Sequence, residues 1–232
     1  LNRIEEIAGQ SFVSYEADCT DYNAFKAVFE EEKNIAGVIH FAAYKAVGES
    51  VEHPAMYYHN NLNSLTNLLK IMEEFDVKNL VFSSSCTVYG SPEIIPIDES
   101  AQTQPAESPY GHTKQLCEEI LQNTPQTSSV LLRYFNPIGA HESGLIGELP
   151  IGVPNNLIPY ITQTAAGIRK ELTIFGKDYD TSDGTCIRDF IHVVDLAKAH
   201  IAALNYLFEN NIENPAVFNV GSGTGSTVLE CV

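Results

Sequence analysis

At 232 residues with 44% apolar side chains, the chain can bury one large core, or one core with a small appendage, which excludes a disordered segment. A formal charge of −17 excludes a nucleic-acid backbone and an anionic membrane surface as partners, because both are bound through Lys and Arg. Cys19, Cys86, Cys117, Cys186 and Cys231 contain no Cys-x-x-Cys pair and imply a reducing, cytoplasmic setting; the histidines lack ligand spacing for a metal, and no apolar run reaches the roughly 20 residues of a bilayer span.

The first expected element is an extended run at 11–18, SFVSYEAD. A helix follows over 21–33, then a strand at 35–43, IAGVIHFAA. The stretch 55–75 carries Leu62, Leu65, Leu68, Leu69 and Met72 at helical spacing. Next come a strand at 79–85, NLVFSSS, a helix over 109–122 and a strand at 129–136, SVLLRYFN. Strand and helix in alternation give a parallel sheet with right-handed crossovers, the α/β doubly wound class. Beyond residue 137 the elements shorten and Gly, Pro and Asn multiply, so the expected division is a doubly wound domain at 1–137 and a smaller region at 138–232. The chain opens on Leu1 without a Met and stops in STVLECV, a helix barely begun, and it is therefore expected to be a piece lacking both ends of a longer protein.

In an open parallel sheet, ligands sit beyond the carboxyl ends of the strands. Here those ends are Asp18, Ala42 with Ala43, Ser85 and Asn136. The serines Ser83, Ser84 and Ser85 could merely satisfy a strand-to-loop turn. SPYGHTK changes the balance, because Tyr110 and Lys114 share one helical face and follow Ser85 by one strand-helix step. A phenol near pKa 10 is a poor base unless a neighbouring ammonium stabilises its phenolate, and a serine hydroxyl can hold the same substrate alcohol. A second Tyr-x-x-x-Lys match, Tyr22 and Lys26, has no hydroxyl donor nearby and reads as a surface turn. FNVGSGTGST at 218–227 imitates a phosphate loop, but Ser226 stands where a third Gly belongs and no Gly-Lys-Ser/Thr follows, so a tight turn is expected.

With Ser85, Tyr110 and Lys114 in place, the chain resembles the extended short-chain dehydrogenase/reductase family. The segments VIHFAAYKAVGESVEHPAMYYHNN, FSSSCTVYG, SPYGHTK, LLRYFNPIGAH, VPNNL, IPYITQTAAG and GTCIRDFIHVVDLA draw it toward the nucleotide-sugar epimerases of that family. The resemblance implies reversible 4-epimerisation of UDP-glucose and UDP-galactose, through a transient 4-keto sugar and tightly bound NAD, by a protein of galactose metabolism that is a homodimer when complete. It makes 1–137 the NAD-binding Rossmann-like domain and 138–232 the nucleotide-sugar region. It implies Ser85, Tyr110 and Lys114 as catalytic residues. NAD would be touched by Asp18, Cys19, Phe41, Ala42, Ala43, Lys45, Asn60, Ser83, Tyr110, Lys114 and Phe135. The UDP-hexose would be touched by Lys45, Ser85, Tyr110, Asn136, Asn156, Thr173, Ile174, Phe175 and Arg188. Arg188 also suits a diphosphate on physical grounds, as a fork of donors in a chain with few cations, against the alternative of an ion pair with Asp189.

The chain departs from the family pattern at Cys86, where Ala is usual, and at Cys186, where a small residue is common. The family's Gly-rich turn after the first strand and its C-terminal sugar-pocket stretch are absent from the sequence, so the piece expressed alone is expected to be inactive. The alternatives are another NAD-dependent nucleotide-sugar epimerase or dehydratase, or a non-catalytic NAD-binding relative. Against a dehydratase, Cys86 and Thr87 stand where that group carries an Asp-Glu pair.

Overall fold

The computed structural model describes residues Leu1–Val232. In chain order the elements are α1 (Asn2–Ala8), α2 (Tyr22–Glu31), β1 (Gly37–His40), α3 (Val47–Glu52), α4 (Pro54–Glu74) and β2 (Asn79–Ser83). A short 3-10 turn at Cys86–Tyr89 precedes α5 (Pro109–Gln122), β3 (Ser128–Tyr134), β4 (Asn136–Ile138) and α6 (Leu157–Ala165). The chain closes with β5 (Ile187–His192), α7 (Val193–Glu209), β6 (Ala216–Val220), β7 (Gly225–Thr227) and α8 (Val228–Cys231).

Local chemistry sets the starts of the long helices. Asp21 caps α2 by accepting from the amides of Asn23 and Ala24 at 3.0 and 3.1 Å. Ser108 caps α5 by accepting from Gly111 N at 3.1 Å, with Pro109 next in the first helical position. Pro54 opens α4 in the same way.

The chain forms two compact units, Val13–Tyr134 with Lys198–Val220, and Leu1–Phe12 with Phe135–Ala197 and Gly221–Val232. In the first, four strands run parallel in the order β1-β2-β3-β6, with Gly37 opposite Asn79, Asn79 opposite Ser128 and Val130 opposite Ala216. The strand period of two sorts β2 between two cores. Leu80 and Phe82 join Leu65, Leu68, Ile71 and Met72 of α4 and Cys117 and Leu121 of α5, whereas Val81 joins Val130, Leu132 and, from α7, Ala203 and Leu207. Both faces of the sheet are therefore covered, which is why its strands read as nearly continuous apolar runs. The alternating α/β pattern is thus realised as a doubly wound parallel sheet.

Three expectations are corrected. The run at 11–18 forms no strand, because no other segment lines up to pair its amides and carbonyls, and Phe12, Val13 and Tyr15 stay exposed. The run at 129–136 is two strands, broken at Phe135: β3 belongs to the four-stranded sheet and β4 pairs with β5 in another. The chain also does not divide by one cut near 137, since residues 198–220 return to the first unit, where β6 pairs with β3.

The second unit is built on β5, which pairs parallel with β4 and antiparallel with β7. The loop in FNVGSGTGST folds as a tight turn around the unit's own anion. Asp189 accepts from Ser222 N at 2.8 Å, Ser222 Oγ at 2.7 Å and Gly223 N at 2.9 Å. A Cβ on Gly221 would lie 2.5 Å from Asp189 Oδ2, so glycine is required for that approach.

Candidate active site

At the carboxyl end of β2 the apolar strand gives way to Ser83, Ser84 and Ser85, all buried. Helix α5 packs beside them with Tyr110, Lys114 and Glu118 at four-residue spacing, each less than a tenth exposed. Lys114 Nζ donates to the Ser83 carbonyl at 2.6 Å and lies 4.7 Å from the centre of the Phe82 ring. Ser85 lies close enough to Tyr110 to draw its phenol down. Ser85 Oγ also accepts from Thr87 N at 3.3 Å, which begins the 3-10 turn. Glu118 accepts from Ser84 Oγ at 2.5 Å and holds Arg133 in a two-pronged pair, Nε to Oε1 at 3.0 Å and Nη2 to Oε2 at 2.6 Å. The three serines thus face three successive turns of one helix.

Burial dominates the electrostatics here. It raises the Tyr110 phenol well above its ordinary value, and the neighbouring Tyr134, Cys86 and Tyr57 raise it further, against the opposing effect of Ser85. Burial lowers Lys114 to about 8, against the opposing pull of Cys117 and Glu118. At neutral pH this lysine still carries its proton. His40, at the end of β1, is lowered to about 4 by burial and by the Lys114 charge.

The first unit also holds most of the residues expected to meet a dinucleotide. Phe41 is 57% exposed and its ring stands 4.4 Å from that of buried His200. His200 in turn lies 2.8 Å from Ser83 Oγ. Ala42 and Lys45 are exposed and Ala43 is half-buried. Asn60 donates to Asn61 Oδ1 at 3.0 Å. Buried Asn61 pins the loop after β1, accepting from Tyr44 N at 2.8 Å and donating to Tyr44 O at 3.1 Å. Asp18 accepts from the Thr20 amide and hydroxyl, both at 2.8 Å, which hold its carboxyl below the usual range. Cys19, next to it, is half-buried, and burial pushes its thiol up.

The residues expected to meet a nucleotide sugar, apart from Lys45, Ser85 and Tyr110, lie in the second unit. Asn136 on β4 donates to the Asp189 carbonyl at 3.0 Å. Asn156 caps α6 without a side-chain bond to it and donates to Glu148 at 2.6 Å. Thr173 and Phe175 are exposed and Ile174 half-buried, in a segment without regular structure; Phe135 is half-buried. Arg188 is exposed on β5 and donates to the neighbouring Ile187 carbonyl at 2.8 Å. It makes no ion pair with Asp189, whose carboxylate is engaged by the Ser222 turn.

Sequence inspection assigns no role to Asn61, His200 or Arg133, and Glu118, which reads there as one acid of a solvated helix face, is buried. Only Arg133 carried a local signal, a lone charge inside the apolar run SVLLRYFN. Among groups of His, Cys, Asp and Glu, none is arranged to hold a metal, and no helix is long and apolar enough to cross a membrane.

Residues 2–221 match the NAD dependent epimerase/dehydratase family. UDP-glucose 4-epimerase of Homo sapiens is 51% identical over 236 residues, covering 100% of this chain and 67% of the human protein. That of Bacillus subtilis is 51% identical over 236 residues, covering 100% of this chain and 68% of the relative. Among solved structures, the crystal structure of UDP-glucose 4-epimerase from Bifidobacterium longum in complex with NAD+ and UDP superimposes with a TM-score of 0.93 at 50% identity, covering 99% of this chain and 69% of that one.

Proposed function

This chain belongs to the NAD dependent epimerase/dehydratase family, and from that membership we propose that the protein interconverts UDP-glucose and UDP-galactose at C4, with NAD held throughout. The observation that carries the proposal is the convergence of Ser85, Tyr110 and protonated Lys114 at the ligand edge of the sheet. The exposed Phe41 ring with small Ala42 and Ala43 beyond β1 suits a flat, partly apolar dinucleotide. NAD, when bound, supplies acceptance of a hydride from C4 and its return to the opposite face.

The residues of the chain would manage the proton. Tyr110 takes it from the sugar 4-hydroxyl and later gives it back. Ser85 orients that hydroxyl through the group it already offers Tyr110. Burial disfavours the phenolate and Ser85 offsets part of that cost; in this proposal the Lys114 ammonium, one turn along the same helix, offsets the rest. We assign the dinucleotide to the first unit and the uridine diphosphate to Asn136, Asn156, Thr173 to Phe175 and Arg188 of the second. The five free cysteines support a cytoplasmic protein, and we extend the proposal to a homodimer in the complete molecule.

The test is to purify the full-length protein, measure nicotinamide released on denaturation, and follow UDP-glucose and UDP-galactose in both directions. Stoichiometric NAD and an equilibrium mixture reached from either sugar are expected. Loss of water from the sugar, or bound NAD with no sugar turnover, would refute the proposal in favour of a dehydratase or a non-catalytic relative.

A further inference from the structure

A regular strand sends successive side chains to opposite faces, so three consecutive serines could not all meet one helix. The backbone makes the exception where β2 ends: Ser84 N donates to the Phe82 carbonyl at 3.0 Å, closing a three-residue turn. Beyond it, Ser85 meets Tyr110, the Ser83 carbonyl meets Lys114, and Ser84 meets Glu118. The first two contacts bear on proton transfer. The third reaches no residue assigned to substrate or cofactor, yet it is the most heavily fixed of the three.

Ser84, Glu118 and Arg133 are 0%, 3% and 5% exposed. The Arg133 guanidinium also lies 4.8 Å from the centre of the Tyr89 ring, and Tyr89 donates to Asn219 Oδ1 at 2.6 Å. This ties the end of β2 to β3, β6 and α5 together.

We propose that Glu118, locked by Arg133, is a positioning residue: through Ser84 it sets the place at which Ser85 meets Tyr110 and Lys114 meets the Ser83 carbonyl. The proposal rests on the epimerase function, since it acts through Tyr110. Three donors converge on Glu118, from Ser84 Oγ, Arg133 Nε and Arg133 Nη2. Only a carboxylate accepts all three; glutamine would turn an NH2 toward a guanidinium that cannot accept. Stability is a weak reason for such a pair, because well-packed apolar residues often serve as well or better in its place. Its position one turn beyond Lys114, on the serine between the two that meet Lys114 and Tyr110, points to geometry instead.

The test uses the full-length protein with its NAD. Wild-type protein that fails to interconvert the two UDP-sugars would refute the function and leave Glu118 out of account. Given active wild type, Ser84→Ala keeps the Glu118–Arg133 pair and removes only its tie to the serine turn. Expected are a fall in kcat of about tenfold to a hundredfold with KM for UDP-glucose within about twofold and NAD content unchanged. The acid limb of the kcat profile should also move up by about half a pH unit or more. That limb reports Tyr110, which Ser85 draws down and Tyr134, Cys86 and Tyr57 push up; Lys114 on the same helix and His40 on β1 are the other titratable groups nearby. Glu118→Gln should give the same loss and displacement in the fraction that retains NAD. Wild-type kcat with an unmoved acid limb in Ser84→Ala, or wild-type turnover in the NAD-retaining fraction of Glu118→Gln, would overturn the proposal and leave the pair a structural one.

Discussion

Two helices of this chain carry a tyrosine and a lysine four residues apart, and they put the pair to different uses. On α2, the Tyr22 hydroxyl donates to Glu74, Lys26 donates to the same carboxylate at 2.7 Å, and Lys70 lies 4.2 Å from the Tyr22 ring centre. All four groups are partly exposed or exposed. A phenol that donates to a carboxylate is held neutral, and Glu74 accordingly raises both Tyr22 and Lys26. On α5 no carboxylate faces the phenol. Tyr110 meets a serine hydroxyl, and burial moves Lys114 the other way, down to about 8. Spacing brings a phenol and an ammonium onto one face; the surroundings decide whether the phenol can act as a base.

The sharpest break between the two is made by removing one oxygen from each. Tyr110→Phe in the full-length protein should lower kcat by about a hundredfold or more while UDP-glucose still binds, measured by turnover and by calorimetry. A variant retaining a tenth of wild-type turnover would show that another group takes the proton. The next effect in size tests whether surroundings also govern a cation of the second unit. Arg188, free of Asp189, should be a phosphate ligand, so Arg188→Ala should weaken UDP affinity by about 10- to 150-fold, equivalent to about 1.5 to 3 kcal/mol, with NAD content unchanged. Unaltered affinity would assign Arg188 to the surface.

A titration sharpens the contrast without any mutation. In the NAD-free protein, the lysine side-chain NMR signals should show Lys114 giving up its proton near pH 8, whereas Lys26 keeps its own past 10.5. The directions are opposite because burial removes water from the one ammonium and Glu74 adds a counter-charge to the other. A single common midpoint would erase the distinction. The smallest expected effect completes the comparison: Tyr22→Phe and Lys26→Met should leave kcat and KM within about twofold of wild type.

Much of the first unit could be read from the sequence because its signals are local. Apolar periodicity placed α2, α4 and α5 to within about two residues, β1 and β2 lay inside the expected apolar runs, and β3 began one residue ahead of its own. Pairing is not local, and there the reading failed. SFVSYEAD has strand composition and no ladder, whereas AVFNV, short and bounded by turn residues, supplies the strand beside β3. In the site, the spacing of Tyr110 and Lys114 together with Ser85 one strand-helix step earlier singled out the three, and the structure brings Tyr110 and Lys114 to the serines at the end of β2. Glu118 lay on the same helical face and resembled one more solvated acid, since what distinguishes it is Arg133, fifteen residues away on β3. Asp189 was weighed as a partner for Arg188, and the turn it fills lies more than thirty residues on.

The return of β6 to the first unit has a consequence for how the protein is made. About 80 residues, most of them building the other unit, separate β3 from β6. A ribosome adding about 5 to 20 residues per second needs roughly 4 to 16 s to cross that interval. Until α7 and β6 emerge, β3 lacks the strand that pairs with it on that side. Val81, Val130 and Leu132 lack the cover that Ala203 and Leu207 later provide. The open edge of β3 can meanwhile pair with any passing chain. The long insertion that brings a second unit to the protein therefore also sets a window in which the newborn chain carries an unpaired edge, and β6 is the strand whose arrival closes it.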